Sequence, residues 1–550
     1  MARAQPEGGE GGALTETAPV KAVKGMGRPA HIAGAALLLG ASVLLSRILG
    51  YAREMVLAYR SGASAATDAF YAAFQLPDLL NYFLAGGALS IAFIPLYSRL
   101  RAQEGQAAAD DLMASVLGTL GALAVLATAV LFWQAEALVA LQFPRFDSET
   151  QALTVHLTRI VLPAQVFFIA GGIVQAVLLA QQRFLAAALA PLLYNGGIIA
   201  GGLFLAPAVG IEGFAWGALA GSIAGPFLAP VLLARGVFVL RARFAPFERR
   251  FLVYLTLAAP LMFGQTLLTL DEWYDRWFGA LIATGTVAHL GLARRLMQVP
   301  VAVVGQALAA AALPTLARLF SEGRRAELDA TVLRTLQAGL SLAVLSGAGC
   351  LALAHPLVMA VYQRGAFLPA DTAAVTPLLA LFSVGVPAWV TQQIAVRAFY
   401  ARGDTWRPMI LGTLVALGAI PLYLGLSRRF GVVGLPLAGV MAMTVNALAT
   451  LALARFLHGA PPIGRLLASA GRALAIAAPA AAAAFAVQTQ RAALLPSLEL
   501  GPSLGALLDL ACGGLAFALV AGPGVALFGD EALRGAAGRL LRVLPRRRPT

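Results

Sequence analysis

From Leu112 to Ala135 the chain reads LMASVLGTLGALAVLATAVLFWQA, twenty-four residues without one charged side chain. A helix crosses the ~30 Å hydrocarbon core of a bilayer in about 20 residues, at 1.5 Å each, so this run is long enough to span a membrane. Similar apolar blocks recur in both directions along the 550 residues, and fourteen helical spans are expected. They cover roughly 32–58, 66–98, 112–135, 152–180, 184–206, 212–234, 251–281, 286–316, 331–354, 372–400, 405–427, 432–456, 470–488 and 503–528, with edges uncertain by about four residues. Composition agrees: 59% of residues are hydrophobic and 12% charged, half the roughly one quarter charged of a soluble protein. An ordinary soluble enzyme is excluded, and the expected fold class is an all-α polytopic membrane protein.

The two cysteines, Cys350 and Cys512, both lie in apolar stretches, and the five histidines have no ligand spacing. No phosphate-cradling glycine loop occurs. No metal, cofactor or catalytic centre is expected, and the protein reads as a non-enzyme.

The formal net charge is +14, which in a soluble protein would suggest nucleic acid. Its distribution says otherwise. With the N-terminus on the cytoplasmic side, 27 of the 40 Lys and Arg residues fall in cytoplasmic segments and 6 on the opposite side. That asymmetry is the positive-inside signature; it places both termini in the cytoplasm and fits an even span count. No nucleic-acid partner is expected. The Arg428–Arg429 pair is the one poor fit.

The chain also repeats itself. Arg53, Gly62 and Pro77 are spaced 9 and 15 apart, and so are Arg276, Gly285 and Pro300, at an offset of 223. Gly210-Ile-Glu-Gly213 and Gly431-Val-Val-Gly434 repeat at an offset of 221. A six-helix unit preserves orientation, so the halves are expected to be parallel repeats about an axis along the membrane normal, with a central cavity and alternating access. The expected organisation is a disordered polar tail (1–30), an N-terminal six-helix lobe (31–245), a C-terminal six-helix lobe (246–460), two further spans (461–530) and a basic cytoplasmic tail (531–550).

Ionisable side chains at membrane depth cost about 2.5–3.5 kcal/mol each on insertion scales and need a reason. Seven arginines qualify: Arg47, Arg53, Arg159, Arg276, Arg294, Arg295 and Arg397. The acids are Glu54, Asp68, Asp78, Asp271, Glu272, Asp275 and Asp509. Arg53–Glu54 and Asp275–Arg276 read as ion pairs, while Arg159 and Arg397 are placed to snorkel. Asp68 suits the N-terminus of its own helix. Asp271 and Asp275, four apart, share a face of span 7; they either bind a coupling cation or pair with Arg276 and Arg294. Arg47, Arg294 and Arg295 are harder to account for. Adjacent arginines point about 100° apart, so both escape lipid only beside a polar cavity or an internal acid. Guanidinium forks bind phosphate oxygens bidentately, so a cationic cavity implies an anionic substrate. Arg47 and Arg53 lie about 240° apart on a helix and share a cavity only if it is wide or the helix bends near Gly50.

The run Ser46-Arg-Ile-Leu-Gly-Tyr-Ala-Arg-Glu54, followed by Gly62, Thr67-Asp68, Phe70, Gln75-Leu-Pro77 and Ala88 to Pro95, resembles the MurJ/MviN family in order and spacing. Asp275-Arg276, Ala293 to Met297, Pro300, Leu313-Pro314, Tyr362 to Phe367, and Phe399 to Thr405 with Pro408 extend the likeness through span 12. The resemblance implies a flippase of the multidrug/oligosaccharidyl-lipid/polysaccharide superfamily in the bacterial inner membrane. Its implied substrate is lipid II, the undecaprenyl-diphosphate-linked peptidoglycan precursor; its implied partners are membrane lipids and cell-wall synthesis proteins. Spans 13 and 14 would form a groove for the lipid tail. The family's cavity arginines fall on Arg47, Arg53 and Arg295 and its span 2 acid on Asp68; neighbouring Arg294 completes the expected substrate set. Asp271, Asp275, Arg276 and Glu54 are the candidates for ion coupling or structural pairing.

This chain departs from the family pattern in three places. Asn81, Tyr82 and Gly86 stand where span 2 usually carries two arginines and an acid. Arg294 replaces the usual Asp or Asn, which reads as one arginine relocated from span 2 to span 8. Ala416 to Pro421 replaces the Asn-rich pattern of span 11, so a sodium site is not carried over there. Three other readings compete. A flippase for another polyprenyl-diphosphate-linked oligosaccharide would share all these features. A cation-coupled drug exporter would favour acids over arginines in its cavity. A non-transporting scaffold would need no buried arginines.

Overall fold

The computed structural model describes residues 29–85, 92–268, 270–459, 461–494, 502–535 and 538, with the side chains of 29–37, 260–271 and a few others outside that description. The expected N-terminal tail and most of the basic C-terminal tail fall outside the described residues. Among those described, the regular structure is helical throughout, without a strand.

The helices sort into the fourteen expected spans. Span 1 is one uninterrupted helix, Pro29–Ser61, and the described parts of span 2 are helical over Ala65–Ala73, Gln75–Ala85 and Ile94–Gln103. Spans 3 to 6 are Gln106–Trp133, Ser148–Ala180, Leu185–Val209 and Glu212–Ala234. Span 7 is helical over Arg249–Leu268 and Leu270–Ala280. Span 8 runs Thr286–Pro300 and continues through a wider π-turn, Val301–Gln306, into Ala307–Ser321. Spans 9 to 14 are Arg325–Ala352, Pro369–Tyr400, Trp406–Phe430, Gly434–His458, Ile463–Leu494 and Pro502–Phe528.

Ten stretches among the described residues are long and apolar enough to cross a membrane. One of them, 406–458, contains two successive spans. The spans left over are 1, 2 and 7, which hold Arg47, Arg53, Glu54, Asp68, Asp78, Glu272, Asp275 and Arg276. Large apolar side chains such as Trp133, Phe204 and Phe485 stand exposed on the outside of the bundle, where a bilayer solvates them.

Apolar burial gives little drive between helices in lipid, so close packing takes over. Spans 5 and 6 meet through glycines: a Cβ on Gly201 would fall 2.1 Å from the Gly213 carbonyl oxygen, and one on Gly217 would fall 2.5 Å from that of Gly197. The alanines of span 13 do the same job. Ala473 and Ala477 are buried against Val344 of span 9, and Ala480 against span 14.

The repeat is visible in backbone conformation. Gly210 has φ 62° and ψ −144°, and its counterpart Gly431 has φ 59° and ψ −138°. Both end a helix in a conformation that an L side chain rarely adopts, and both do so just before an even-numbered span. Two core clusters are mainly N-terminal and one mainly C-terminal. The first piece of span 7 sends Phe251, Tyr254 and Ala258 into an N-terminal cluster, beside Phe93 and Ile173. The second piece sends Tyr274 and Phe278 into the C-terminal one.

Candidate functional site

Span 1 brings its charges to the seam between the lobes. Glu54 is 2% exposed and receives hydrogen bonds from Arg53 Nη2 at 2.6 Å and Tyr71 Oη at 2.5 Å. Arg295, from span 8 in the other lobe, lies against the same carboxylate at 3.5 Å and remains 38% exposed. A carboxylate this deeply buried needs several donors to offset lost hydration, and removing one partner of such a pair costs about 3–5 kcal/mol. Tyr51 adds a second cross-lobe link, donating to the Arg295 carbonyl at 3.1 Å. A further ion pair joins Arg276 of span 7 to Asp78 of span 2 at 3.4 Å. Both cross-lobe ion pairs are longer than the 2.7–2.9 Å of a tight charge-assisted hydrogen bond.

Several sequence expectations need correcting. The four candidate substrate arginines do not converge. Span 1 does not break at Gly50, so Arg47 and Arg53 point apart: Arg53 donates to Asn195 of span 5 at 3.3 Å inside its own lobe, and Arg47 reaches Gln306 of span 8. Arg294 borders a small cavity, with its guanidinium turned onto an acid of its own lobe. Its side chain is 8% exposed and its Nε donates to Asp275 at 2.7 Å. Asp275 therefore pairs with Arg294, and Arg276 has the cross-lobe partner Asp78 instead of its sequence neighbour. The expected Arg53–Glu54 pair is present. Asp271 lies in the helix, but its side chain is outside those described. Arg159 extends to the Phe132 carbonyl and packs over its ring, in line with snorkelling.

Asp68 has moved furthest from its expected role. The N-terminus of its own helix is capped by Ser64, whose hydroxyl accepts from Thr67 N. The fully buried Asp68 carboxylate instead accepts from the backbone N–H groups of Gly285 at 2.5 Å and Ala288 at 2.7 Å. It thus caps span 8 of the opposite lobe, where a negative charge is favoured by both the unpaired donors and the helix dipole. Beside it, Ala366 N donates to the Tyr59 carbonyl at 2.8 Å, and Arg145 donates to that of Leu281 at 2.7 Å. These contacts clasp the lobes together at one end of the molecule.

Below the clasp, Tyr71, Glu272, Asp275, Arg276, Arg294, Arg295 and Gln298 enclose a cavity of about 40 Å³, with Val287 and Gly291 completing its wall. It has space for a few waters at most. A larger hollow of about 260 Å³ lies on the other side of Asp68, between residues 145–150 and 280–284. The inner cavity combines arginines held by displaceable acids with neutral polar groups, an arrangement suited to an oxyanion. Tyr71, Gln298, Gln306 and Asn195 were missed by reading charges alone. Their signal was present as polar residues inside otherwise apolar helices.

Three kinds of comparison bear on this geometry. Residues 57–498 match the family model described as lipid II flippase MurJ. The lipid II flippase MurJ of Burkholderia cenocepacia is 30% identical over 425 residues, covering 75% of this chain and 80% of that protein. The probable lipid II flippase MurJ of Rhizobium meliloti is likewise 30% identical over 425 residues, covering 74% and 78%. Among solved structures, lipid II flippase MurJ in an inward closed conformation superposes with a TM-score of 0.73 at 22% identity, over 89% of this chain and 99% of that one. An inward-facing multidrug MATE transporter gives 0.63 at 15% identity, over 75% and 94%. At those identities the structures establish the shared fold.

Proposed function

The chain belongs to the lipid II flippase MurJ family, and from that premise we propose that it carries lipid II across the bacterial inner membrane by alternating access. The observation that carries the mechanism is Arg295: partly exposed, lining the inner cavity, and paired at 3.5 Å with Glu54 of the opposite lobe. Arg276, held by Asp78 at 3.4 Å, is its companion. While the cavity is empty, the acids balance both arginines. A diphosphate replaces the acids as the guanidinium partner, which loosens two cross-lobe contacts as the cargo binds.

The 40 Å³ cavity is too small for a diphosphate, so loading requires the lobes to part at the end opposite the Asp68 clasp. The positive-inside asymmetry makes that end cytoplasmic. The head group enters there, the lobes rock, the clasp opens, and the head leaves on the periplasmic side through the larger hollow. No covalent bond changes and no cofactor takes part. The polyprenyl tail stays in lipid throughout, which calls for a lateral opening between the lobes. Family membership sets aside the drug-exporter alternative.

Complementation of a flippase-depleted strain tests this reading. Loss of one desolvated charge-assisted contact costs about 1.5–3 kcal/mol, roughly tenfold or more in affinity. Arg295→Ala and Arg276→Ala are expected to fail at normal protein levels, with lipid II trapped on the cytoplasmic leaflet. Arg295→Lys is expected to keep partial activity. Full growth of both alanine variants would overturn the mechanism.

A further inference from the structure

Arg294 takes no part in the cross-lobe contacts just described. Its guanidinium lies inside the C-terminal lobe, where Nε and Nη2 both reach Asp275 Oδ2 of span 7. The same guanidinium carbon sits 5.0 Å from the Phe382 ring centroid and 5.9 Å from that of Trp389, both on span 10. On span 12, Gly439 leaves room: a Cβ there would fall 2.9 Å from Tyr423 Oη of span 11 and 4.0 Å from Arg294 Nη2. One positive charge thus touches spans 7 and 10 from its seat on span 8, among a carboxylate and aromatic faces, with Gly439 of span 12 and the Tyr423 phenol alongside. Arg294 is 6% exposed and Asp275 4%.

That pocket is what a bound cation requires: a buried carboxylate, a neighbouring hydroxyl and π faces, supplied by several helices of one rocking unit. The sequence left open whether the span 7 acids bind a coupling cation or pair internally. We propose that Arg294 is a tethered cation, fixed by its own side chain in the place beside Asp275 that a soluble monovalent cation would take. The C-terminal lobe then has its positive charge at all times and needs no sodium to complete it. A second cation cannot join the first: like charges repel strongly at this depth, and Oδ2 already accepts from Nε and lies against Nη2. The idea deepens the flippase reading and rests on it for the cargo alone.

The test is a melt of the full-length, detergent-purified protein in sodium chloride against choline chloride at equal ionic strength. Because it reads no transport, a failed flippase reading leaves its outcome unaffected. The wild type is expected to melt at one temperature in both salts. In Arg294→Ala, removal of the guanidinium exposes the Asp275 carboxylate, and sodium is expected to raise the midpoint with the logarithm of its concentration. Arg294→Lys should restore indifference, and Arg294→Ala combined with Asp275→Asn should lose the response. A sodium-dependent rise in the wild type that Asp275→Asn abolishes would overturn the proposal, and that arm needs no Arg294 variant to fold. A folded Arg294→Ala protein indifferent to sodium would overturn it equally, since a purely structural ion pair leaves no site behind.

Discussion

Asp68 is the residue on which the closed end depends most directly. It uses both carboxylate oxygens on the backbone of the other lobe, and a cap of this kind contributes about 0.5–2 kcal/mol. The contact exists only while the lobes are together, so its loss weakens that state relative to the one open at this end. Near the middle of that range the shift is about tenfold in population. Val287, which is 2% exposed beneath the clasp, supplies a reporter. A cysteine placed there is expected to resist thiol reagents added from the clasp side and to react about tenfold faster when Asp68→Ala is also present. Equal rates would show that the cap does not hold the end shut. The sequence identified Asp68, Glu54, Asp275 and Arg295 as residues needing a reason to be buried, because the cost of burial is local. It mispaired Arg276, while the Asp275–Arg294 pair was one of the two readings it left open. Partners such as Asp78 and Arg276 lie about two hundred positions apart, and only the packing of one lobe on the other decides which acid each arginine meets. Asp68 was read as a cap for its own helix for the same reason: the backbone it caps, at Gly285 and Ala288, lies more than two hundred positions away.

Among the elements, the seam at the clasped end is formed by two turns that pass very close to one another. A Cβ on Gly365 would fall 2.3 Å from the Tyr59 carbonyl oxygen, and one on Gly62 would fall 2.5 Å from that of Ala366. Both glycines have positive φ, near 60°. Gly236 also has positive φ, 73°, but nothing lies within 4 Å of its virtual Cβ. Backbone strain is therefore common to all three, at about 1 kcal/mol, and only the seam glycines add overlap with the other lobe, about 1–3 kcal/mol more. Gly365→Ala is expected to abolish complementation at normal expression while Gly236→Ala supports growth. Equal growth would mean that the seam tolerates separation in this closed state. Hydropathy located most spans well because a lipid-facing helix must be apolar along its length. It is least decisive at spans 1, 2 and 7, since helices that line the seam exchange apolar side chains for charges.

At the scale of the whole molecule, the proposed transport direction takes the clasped end as periplasmic, on the basic asymmetry of the sequence. Ser148 is exposed at that end and Glu322 at the other. A cysteine at Ser148 is expected to react with an impermeant reagent in intact cells, and one at Glu322 only in inverted vesicles. The reverse pattern would invert the transport direction proposed here. The two-lobe plan was legible because duplication left matching punctuation, Gly210 and Gly431 above all, and those glycines retain nearly the same φ and ψ. What repetition could not foretell is the sharing of span 7, whose first piece completes the core of one lobe and whose second piece builds the other. A gene cut at residue 246 would leave the first product with an empty socket and the second with an unsheathed apolar peg. The unit that was copied and the unit that packs are therefore different lengths of chain, and span 7 serves both lobes at once.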